Sequence, residues 1–520
     1  MNILFVYPRV SETFWSFRHT LRVVRRKSAF PPLGALTVAA MLPASWKKRL
    51  VDQNVTNLKD EDILWADYVF VSAMIAQKIS ARQVVDRCRA LGVKVAGGGP
   101  LFHSYPDEFR DVDHLVLGEG ETTVPRFVSD ILKGMPKARY ESHDRPSLEA
   151  TPIPLWELIN LNDYVTMSIQ YSRGCPFNCE FCDIIVLNGR VPRAKADGQV
   201  LAELDALYVR GWRGSVFIVD DNFIGNKKRV KRLLRSIIDW QRNRKRKLTF
   251  FTEASVDLAE DVELMELMAD AGFNKVFLGL ETPSEESLKE CGKSQNLRRS
   301  LADSVRIIQQ HGMAVMGGFI IGFDNDPPDI FQRQVNFVQK NGIVTAMIGL
   351  LTAMPGTRLY DRLEQEERLL FKSSGNNTDV SGSLNFIPKM DRETIINGYQ
   401  WVMHTIYSPE MYHNRIMAFL RQYRPRVETC LEDNDLFTLV RSLWYLGLMD
   451  QKSGRDCYWR LLKEGISKYR QSFSDVVTMA IYGYHFRKLF WTPQLPLKWE
   501  EWWGQINGKQ QIPHLSKETS

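Results

Sequence analysis

Three cysteines fall within eight residues, Cys175-Pro-Phe-Asn-Cys179-Glu-Phe-Cys182, directly after the apolar run Val165–Tyr171 and the turn Ser172-Arg173-Gly174. No other feature restricts the fold as much. Three thiols on one tight loop at the end of a strand need a scaffold that holds the loop rigid. Three thiolates can bind three irons of a cubane iron–sulfur cluster, where ordinary ferredoxins supply four. One iron is then left open to an external ligand. The alternative is a structural zinc site or three free thiols. Zinc needs a fourth ligand, usually from a second knuckle, and none is apparent nearby. Cys88, Cys291, Cys430 and Cys457 are scattered singly, and an odd total of seven in a long chain argues against a disulfide framework.

At 520 residues the chain is too long for one compact core. Residues 1–135 alternate short apolar runs (Ile3–Tyr7, Arg49–Asp52, Tyr68–Ser72, Val93–Ala96, His114–Leu117) with helical periodicities such as Ser80–Leu91. That alternation predicts an α/β fold, a doubly wound parallel sheet whose ligand binds beyond the carboxyl ends of the strands. Residues 136–160 are rich in proline and charge, with no hydrophobic period, and read as a linker. Residues 161–370 resume the alternation, with strands expected at Val165–Tyr171, Ser215–Val219, Leu248–Thr252, Lys275–Leu280, Val315–Ile321 and Ala346–Leu351. Six such units fit a partial (β/α)6 barrel, in which chemistry gathers at the carboxyl ends of the strands. Residues 371–520 open with a Gly/Ser-rich loop, Asn376–Asn385, and then look mainly helical, a part expected to recognise substrate.

The net charge of +7 is spread along the chain, and its densest runs, Arg25–Lys27 and Arg242–Lys247, read as solvated helix ends. No zinc-finger, RNA-recognition or helix-turn-helix signature accompanies them, so nucleic acid is not expected as a partner. No apolar run reaches the roughly 20 residues that span a bilayer. The opening Met1–Pro8 lacks a basic region and a cleavage site, so a cytoplasmic location is expected.

Polar or glycine residues recur at the ends of the expected barrel strands: Asp220-Asp221-Asn222, Glu253-Ala254-Ser255, Glu281-Thr282 and Gly317-Gly318-Phe319-Ile320-Ile321-Gly322. With the Cys-x-x-x-Cys-x-x-Cys spacing, they resemble the radical S-adenosylmethionine (SAM) family. The resemblance implies a 4Fe-4S cluster on Cys175, Cys179 and Cys182, with SAM on the open iron. It also implies that Phe181 packs against adenine, that Asp220, Glu253, Ser255 and Glu281 contact SAM, and that backbone near Ile321 and Gly322 meets the adenine.

The first domain is similar to cobalamin-binding domains. Against their Asp-x-His-x-x-Gly, Ser-x-Leu and Gly-Gly pattern, this chain has Asp52-Gln53-Asn54-Val55-Thr56-Asn57, Ser72-Ala73-Met74 and Gly97-Gly98-Gly99. Asn54 replaces the histidine that would ligate cobalt, so cobalamin is expected base-off with no protein histidine. Gly118-Glu119-Gly120-Glu121 also matches the group, which places Glu119 near the cofactor or the domain seam.

A cobalamin domain beside a radical SAM barrel resembles the cobalamin-dependent radical SAM methyltransferases, the subfamily of the hopanoid C-2 methylases in particular. That implies methylation of an unactivated carbon through a 5′-deoxyadenosyl radical and methylcobalamin, on a small-molecule or hopanoid-like lipid substrate. Reduced ferredoxin or flavodoxin would be the electron donor. Three alternatives remain open: a cyclase or rearrangement enzyme without net methyl transfer, a methylthiolating enzyme (though no second cysteine triplet precedes the barrel), and a non-enzymatic cobalamin sensor. The stretch Phe486–Trp503 interleaves Trp with Lys and Arg, which suits either peripheral membrane contact or packing within the helical domain.

Overall fold

The computed structural model describes residues 1–373, 375, 384–426, 433–491, 495, 498 and 500–502. Two six-stranded sheets and a helical region make up the chain. The first sheet comprises β1 (Asn2–Tyr7), β2 (Lys47–Asp52), β3 (Tyr68–Ser72), β4 (Lys94–Gly98), β5 (His114–Leu117) and β6 (Arg139–Glu141). All its pairs are parallel, in the order β2-β1-β3-β4-β5-β6. The strand order reverses between β1 and β3, so a crevice opens beyond their carboxyl ends. Ile3, Leu4, Phe5 and Val6 are all buried, the mark of a strand covered on both faces.

The stretch 136–160 is packed rather than free. Three of its residues add β6 to the sheet edge, Tyr140 is buried, and Trp156 is 1% exposed. Its prolines suggested a linker because a three-residue strand shows no period.

The second sheet holds β7 (Met167–Ile169), β10 (Ser215–Ile218), β11 (Thr249–Ala254), β12 (Phe273–Glu281), β13 (Ala314–Ile321) and β14 (Thr345–Leu350). These pair in parallel in the order β14-β13-β12-β11-β10-β7, an open partial barrel. Val216, Ile218, Phe250, Val276 and Leu278 face the surrounding helices in the largest core cluster. Alternation then turns Phe217, Phe251, Glu253, Phe277 and Gly279 inward. Two short strands, β8 (Ser172–Arg173) and β9 (Arg193–Ala194), form an antiparallel ladder at the barrel's carboxyl end.

Beyond the barrel, described helices run over Arg392–Ile406, Pro409–Gln422, Asp433–Tyr445, Lys452–Lys468 and Phe473–Phe490. Arg415 is fully buried and donates to Gln339 Oε1 at 2.9 Å, Ile406 O at 2.8 Å and Val344 O at 3.2 Å, which ties this region to the barrel edge. The expected loop at Asn376–Asn385 lies mostly outside the described residues. So do Trp499 and Trp503; of the same tail, Phe486 is 0% and Trp502 3% exposed, both packed inside.

Candidate active site

The cysteine loop leaves β7 under two carboxylates from the end of β10. Asp220 is 1% exposed and accepts hydrogen bonds from Tyr171 N at 2.7 Å, Ser172 N at 2.8 Å and Ser172 Oγ at 2.6 Å. Burial pushes its pKa up to about 7 against those three bonds. Asp221 accepts from Gly174 N and Asn188 Nδ2, each at 2.9 Å. Gly174 itself has φ +97, and a Cβ there would lie 2.9 Å from Gly189 O, so only glycine makes this turn. Asp220 therefore holds the root of the loop through both of its oxygens.

The loop's far side is fixed by the sixth barrel unit. Arg362 donates to Glu180 at 2.7 and 3.3 Å, and Arg358 donates to Asn178 O at 2.5 Å. Cys175 and Cys182 are half-buried, Cys179 is buried, and none is in a disulfide. Burial raises the thiol pKa of Cys175 and Cys182, a cost that ligation of the thiolates offsets. Polar N–H groups point at the sulfurs: Asn222 Nδ2 is 3.8 Å from Cys175 Sγ, and Gln295 Nε2 is 3.9 Å from Cys179 Sγ. Such contacts tune iron–sulfur clusters, so the donor set fits a cubane held on three cysteines. Among the described residues no three His, Cys, Asp or Glu side chains converge to hold a single metal ion.

Around the loop, several expected SAM contacts meet. Phe181 stands 6.1 Å from Phe323, centroid to centroid, and Lys293 Nζ lies 5.9 Å from its ring centroid. Lys293 pairs with Glu281, whose backbone takes φ +63 beside a register shift between β12 and β13. Burial opposes the Lys293 charge, but Glu281 and the neighbouring Cys179 hold its pKa above the usual value. The bulge re-aims Glu281 toward this cation. Glu253 is half-buried, and its carboxyl group has no hydrogen-bond partner among the described residues. Burial, then Asp221 and Asp220, push its pKa up to about 8. Ser255 is taken up by Asn222, through Asn222 Nδ2 to Ser255 Oγ at 3.1 Å and Ser255 N to Asn222 Oδ1 at 3.2 Å, so it supports Asn222 beneath Cys175. Ile321 is buried with its carbonyl bonded to Leu351 N at 2.9 Å, and Gly322 N donates to Asp326 at 2.8 Å. Those two backbone groups serve the fold.

In the first domain, Ser72 and Gly98 are register partners at the carboxyl ends of β3 and β4. Gly99 has φ +90, and a Cβ there would come 3.0 Å from Ala73 O and 3.6 Å from Ser72 Oγ. The bare backbone and free serine hydroxyl in the crevice fit a bulky cofactor. Gly97 does not face it: its Cβ would strike the Phe102 ring at 2.6 Å, so its smallness serves packing. Asn54 Nδ2 donates to Asp52 at 2.7 Å and Pro8 O at 3.3 Å, while its Oδ1 accepts from Val10 N at 2.9 Å. Glu119 lies at the domain seam, with Arg173 at 2.7 Å and Arg193 at 2.6 Å. Glu121 completes the cluster through Arg173 at 2.9 Å.

Sequence reasoning missed Lys293, Gln295, Arg173 and Arg193. Arg173 abuts the cysteine motif, which was the available signal. Lys293 and Gln295 follow the fourth barrel strand by a helix and carry no local pattern.

A six-stranded partial barrel with a three-cysteine loop at its carboxyl end, joined to a doubly wound domain with an open glycine-lined crevice, defines a radical SAM enzyme with a cobalamin-binding domain. Family models agree: B12 binding domain over residues 20–128, Radical SAM superfamily over 169–338, and a domain of unknown function (DUF4070) over 357–492. An uncharacterized methyltransferase of Synechocystis sp. is 43% identical over 94% of this chain and 91% of its own length. The hopanoid C-2 methylase of Rhodopseudomonas palustris is 36% identical over 81% and 78%. In fold, the chain is similar to the cobalamin-dependent SAM radical enzyme OxsB (TM-score 0.60, 15% identity, 94% of this chain and 80% of that one). It is equally similar to the methyltransferase TsrM from Kitasatospora setae (TM-score 0.60, 15% identity, 92% and 98%). This chain belongs to the cobalamin-dependent radical SAM methyltransferases.

Proposed function

We propose that this enzyme methylates an unactivated carbon of an apolar, hopanoid-like lipid. The observation that carries the substrate class is the wall of the barrel interior. Phe217 and Phe251 stack with centroids 4.6 Å apart and planes at 3°. From the N-terminal segment, Trp15 lies over Phe217 at 6.4 Å and 10°, and its ring is 5.4 Å from Phe277. Phe30 adds a further ring, 5.6 Å from Phe217. Apart from Lys275, whose Nζ lies 6.0 Å from the Phe251 ring, this wall is aromatic, and it suits a flat hydrocarbon skeleton. Glu253 stands above it, next to Phe277 in register.

When bound, the cluster and SAM supply the radical that removes hydrogen, and cobalamin carries the methyl group. The chain's own part is geometric. Asp220, Asp221 and Arg362 keep the cysteine loop from moving. Asn222, Gln295 and Lys293 place polarity around the thiolates. Ser72, Gly98 and Gly99 would leave room at the crevice for a bound cobalamin, and Asn54, held by its own neighbours, would offer it no imidazole ligand. The aromatic wall excludes water from the reacting carbon. Reduced ferredoxin or flavodoxin is the expected electron donor, and the enzyme works in the cytoplasm against the membrane where such lipids reside.

Deletion of the gene, with comparison of lipid extracts by mass spectrometry, tests this reading. A polycyclic lipid lighter by one CH2 unit is expected to accumulate, restored by the gene in trans. An unchanged lipid profile, with a methyl group missing from a polar metabolite instead, would contradict the substrate class.

A further inference from the structure

We propose that one face of the helix Asp433–Tyr445, with the turn after it, is a docking surface for an anionic lipid bilayer. Leu436, Phe437, Val440 and Trp444 recur at helical spacing, and Leu448 and Met449 continue the stripe; all six are more than half exposed, Phe437 and Met449 at 65%. The helix's other side is anchored, through the buried Ser442, whose Oγ shares a hydrogen bond with Tyr458 at 2.6 Å. Exposure of large side chains is therefore confined to one stripe of a fixed helix. The next helix extends it. Trp459 is 47% exposed, and its Nε1 donates to Gly447 O at 3.0 Å, which holds the indole against the end of the stripe. A contiguous patch of Trp, Phe, Leu and Met is far more than the scattered apolar residues of an ordinary surface.

The charges beside this stripe select its occupant. Arg441 donates to Arg22 O at 2.6 Å and Val23 O at 3.1 Å, which fastens the helix Arg18–Val24 alongside. Arg22 and Arg25 are thereby brought to one flank, exposed. Lys452 and Lys463, also exposed, lie along the helix that carries Trp459. None of these four cations makes an ion pair among the described residues. Asp450 is buried and paired with Arg487 and Lys488, while Asp456 is exposed. Bulky apolar side chains flanked by unpaired cations match the layered chemistry of an anionic bilayer: acyl chains below, phosphates above. A protein partner would need a complementary acidic, apolar surface, and nothing in the chain calls for one.

The inference deepens the membrane part of the proposed function and does not depend on methyl transfer. Its test is co-sedimentation of the full-length protein with vesicles of phosphatidylcholine alone or of phosphatidylcholine with phosphatidylglycerol. Binding is expected only with the anionic vesicles, weakening as salt rises. Phe437→Ser with Trp444→Ser is expected to weaken it by roughly tenfold or more, and Arg22→Glu with Arg25→Glu likewise. Both changes are at exposed positions, and unaltered thermal unfolding and SAM cleavage in the variants would show that fold and active site are intact. Wild-type protein that stays in the supernatant, or variants that bind as well as it does, would overturn the proposal. So would a concentration-dependent dimer, seen by analytical ultracentrifugation, that the apolar variant abolishes. SAM cleavage measured without vesicles separates this failure from failure of the enzymatic reading.

Discussion

Asn54 stands where the cobalamin-binding pattern carries a metal-ligating histidine. Its three polar contacts, to Asp52, Pro8 and Val10, turn the side chain into a brace for the loop after β1. Asp52 in turn accepts from Tyr164 OH at 3.0 Å, so the brace reaches into the barrel domain. A side chain so occupied is not free to rise toward a metal. With no protein imidazole here, and cobalamin expected base-off, the electron paramagnetic resonance spectrum of its Co(II) form is predicted to show no nitrogen splitting from an axial ligand. A nitrogen triplet would contradict the prediction. The substitution itself was legible in the sequence, since it breaks a spaced pattern. What the side chain does instead was not, because two of its three partners, Pro8 O and Val10 N, are backbone groups 46 and 44 positions away. The same limit applies to Asp220 and Ser255, whose strand-end positions pointed to a cofactor. Their contacts also engage the cysteine loop and Asn222, partners that a strand-end position does not reveal.

At the scale of elements, strands set in apolar runs could be read and the short polar ones could not. β1, β3 and β5 are apolar runs because helices cover both faces of their parallel sheet, and β10 and β13 because one face meets helices and the other the barrel interior. β6, β8 and β9 have two or three residues each and no period to detect. Yet β8 and β9 matter most to the junction of the two domains. Their register pairs Arg173 with Arg193, and both guanidinium groups reach Glu119. Their side chains are 15% exposed and that of Glu119 is 6%. Removing one partner from such a buried ionic cluster leaves charge uncompensated, a loss of about 3–5 kcal/mol. Glu119→Ala is expected to lower stability by that order in chemical denaturation, with the early unfolding centred on the seam. A change below about 1 kcal/mol, the range of exposed pairs, would show that the cluster is merely superficial.

Over the whole molecule, the two α/β parts were visible from alternation alone, and the cysteine triplet marked which barrel end is active. The way the parts close on one another was not visible. Tyr105 OH donates to Ser373 O at 3.1 Å, and Met354 packs against the core of the first domain, so segments after the barrel lie on the cobalamin-binding domain. Phe14 packs against Phe486 and Phe490, with centroids at 5.9 and 5.1 Å, which ties the N-terminal segment to the last described long helix. These contacts join residues hundreds of positions apart, beyond the reach of periodicity. They place the crevice of the first domain, the cysteine loop and the aromatic interior within one assembly, as transfer of a methyl group between two cofactors and a substrate requires.

The claim on which everything else rests is that Cys175, Cys179 and Cys182 hold a cluster that cleaves SAM. Anaerobically reconstituted protein, reduced and given SAM, is predicted to release 5′-deoxyadenosine. Cys182→Ala, at a half-buried loop position outside the core, is predicted to keep its circular dichroism and cobalamin content while releasing none. Wild-type amounts of 5′-deoxyadenosine from that variant would contradict the account.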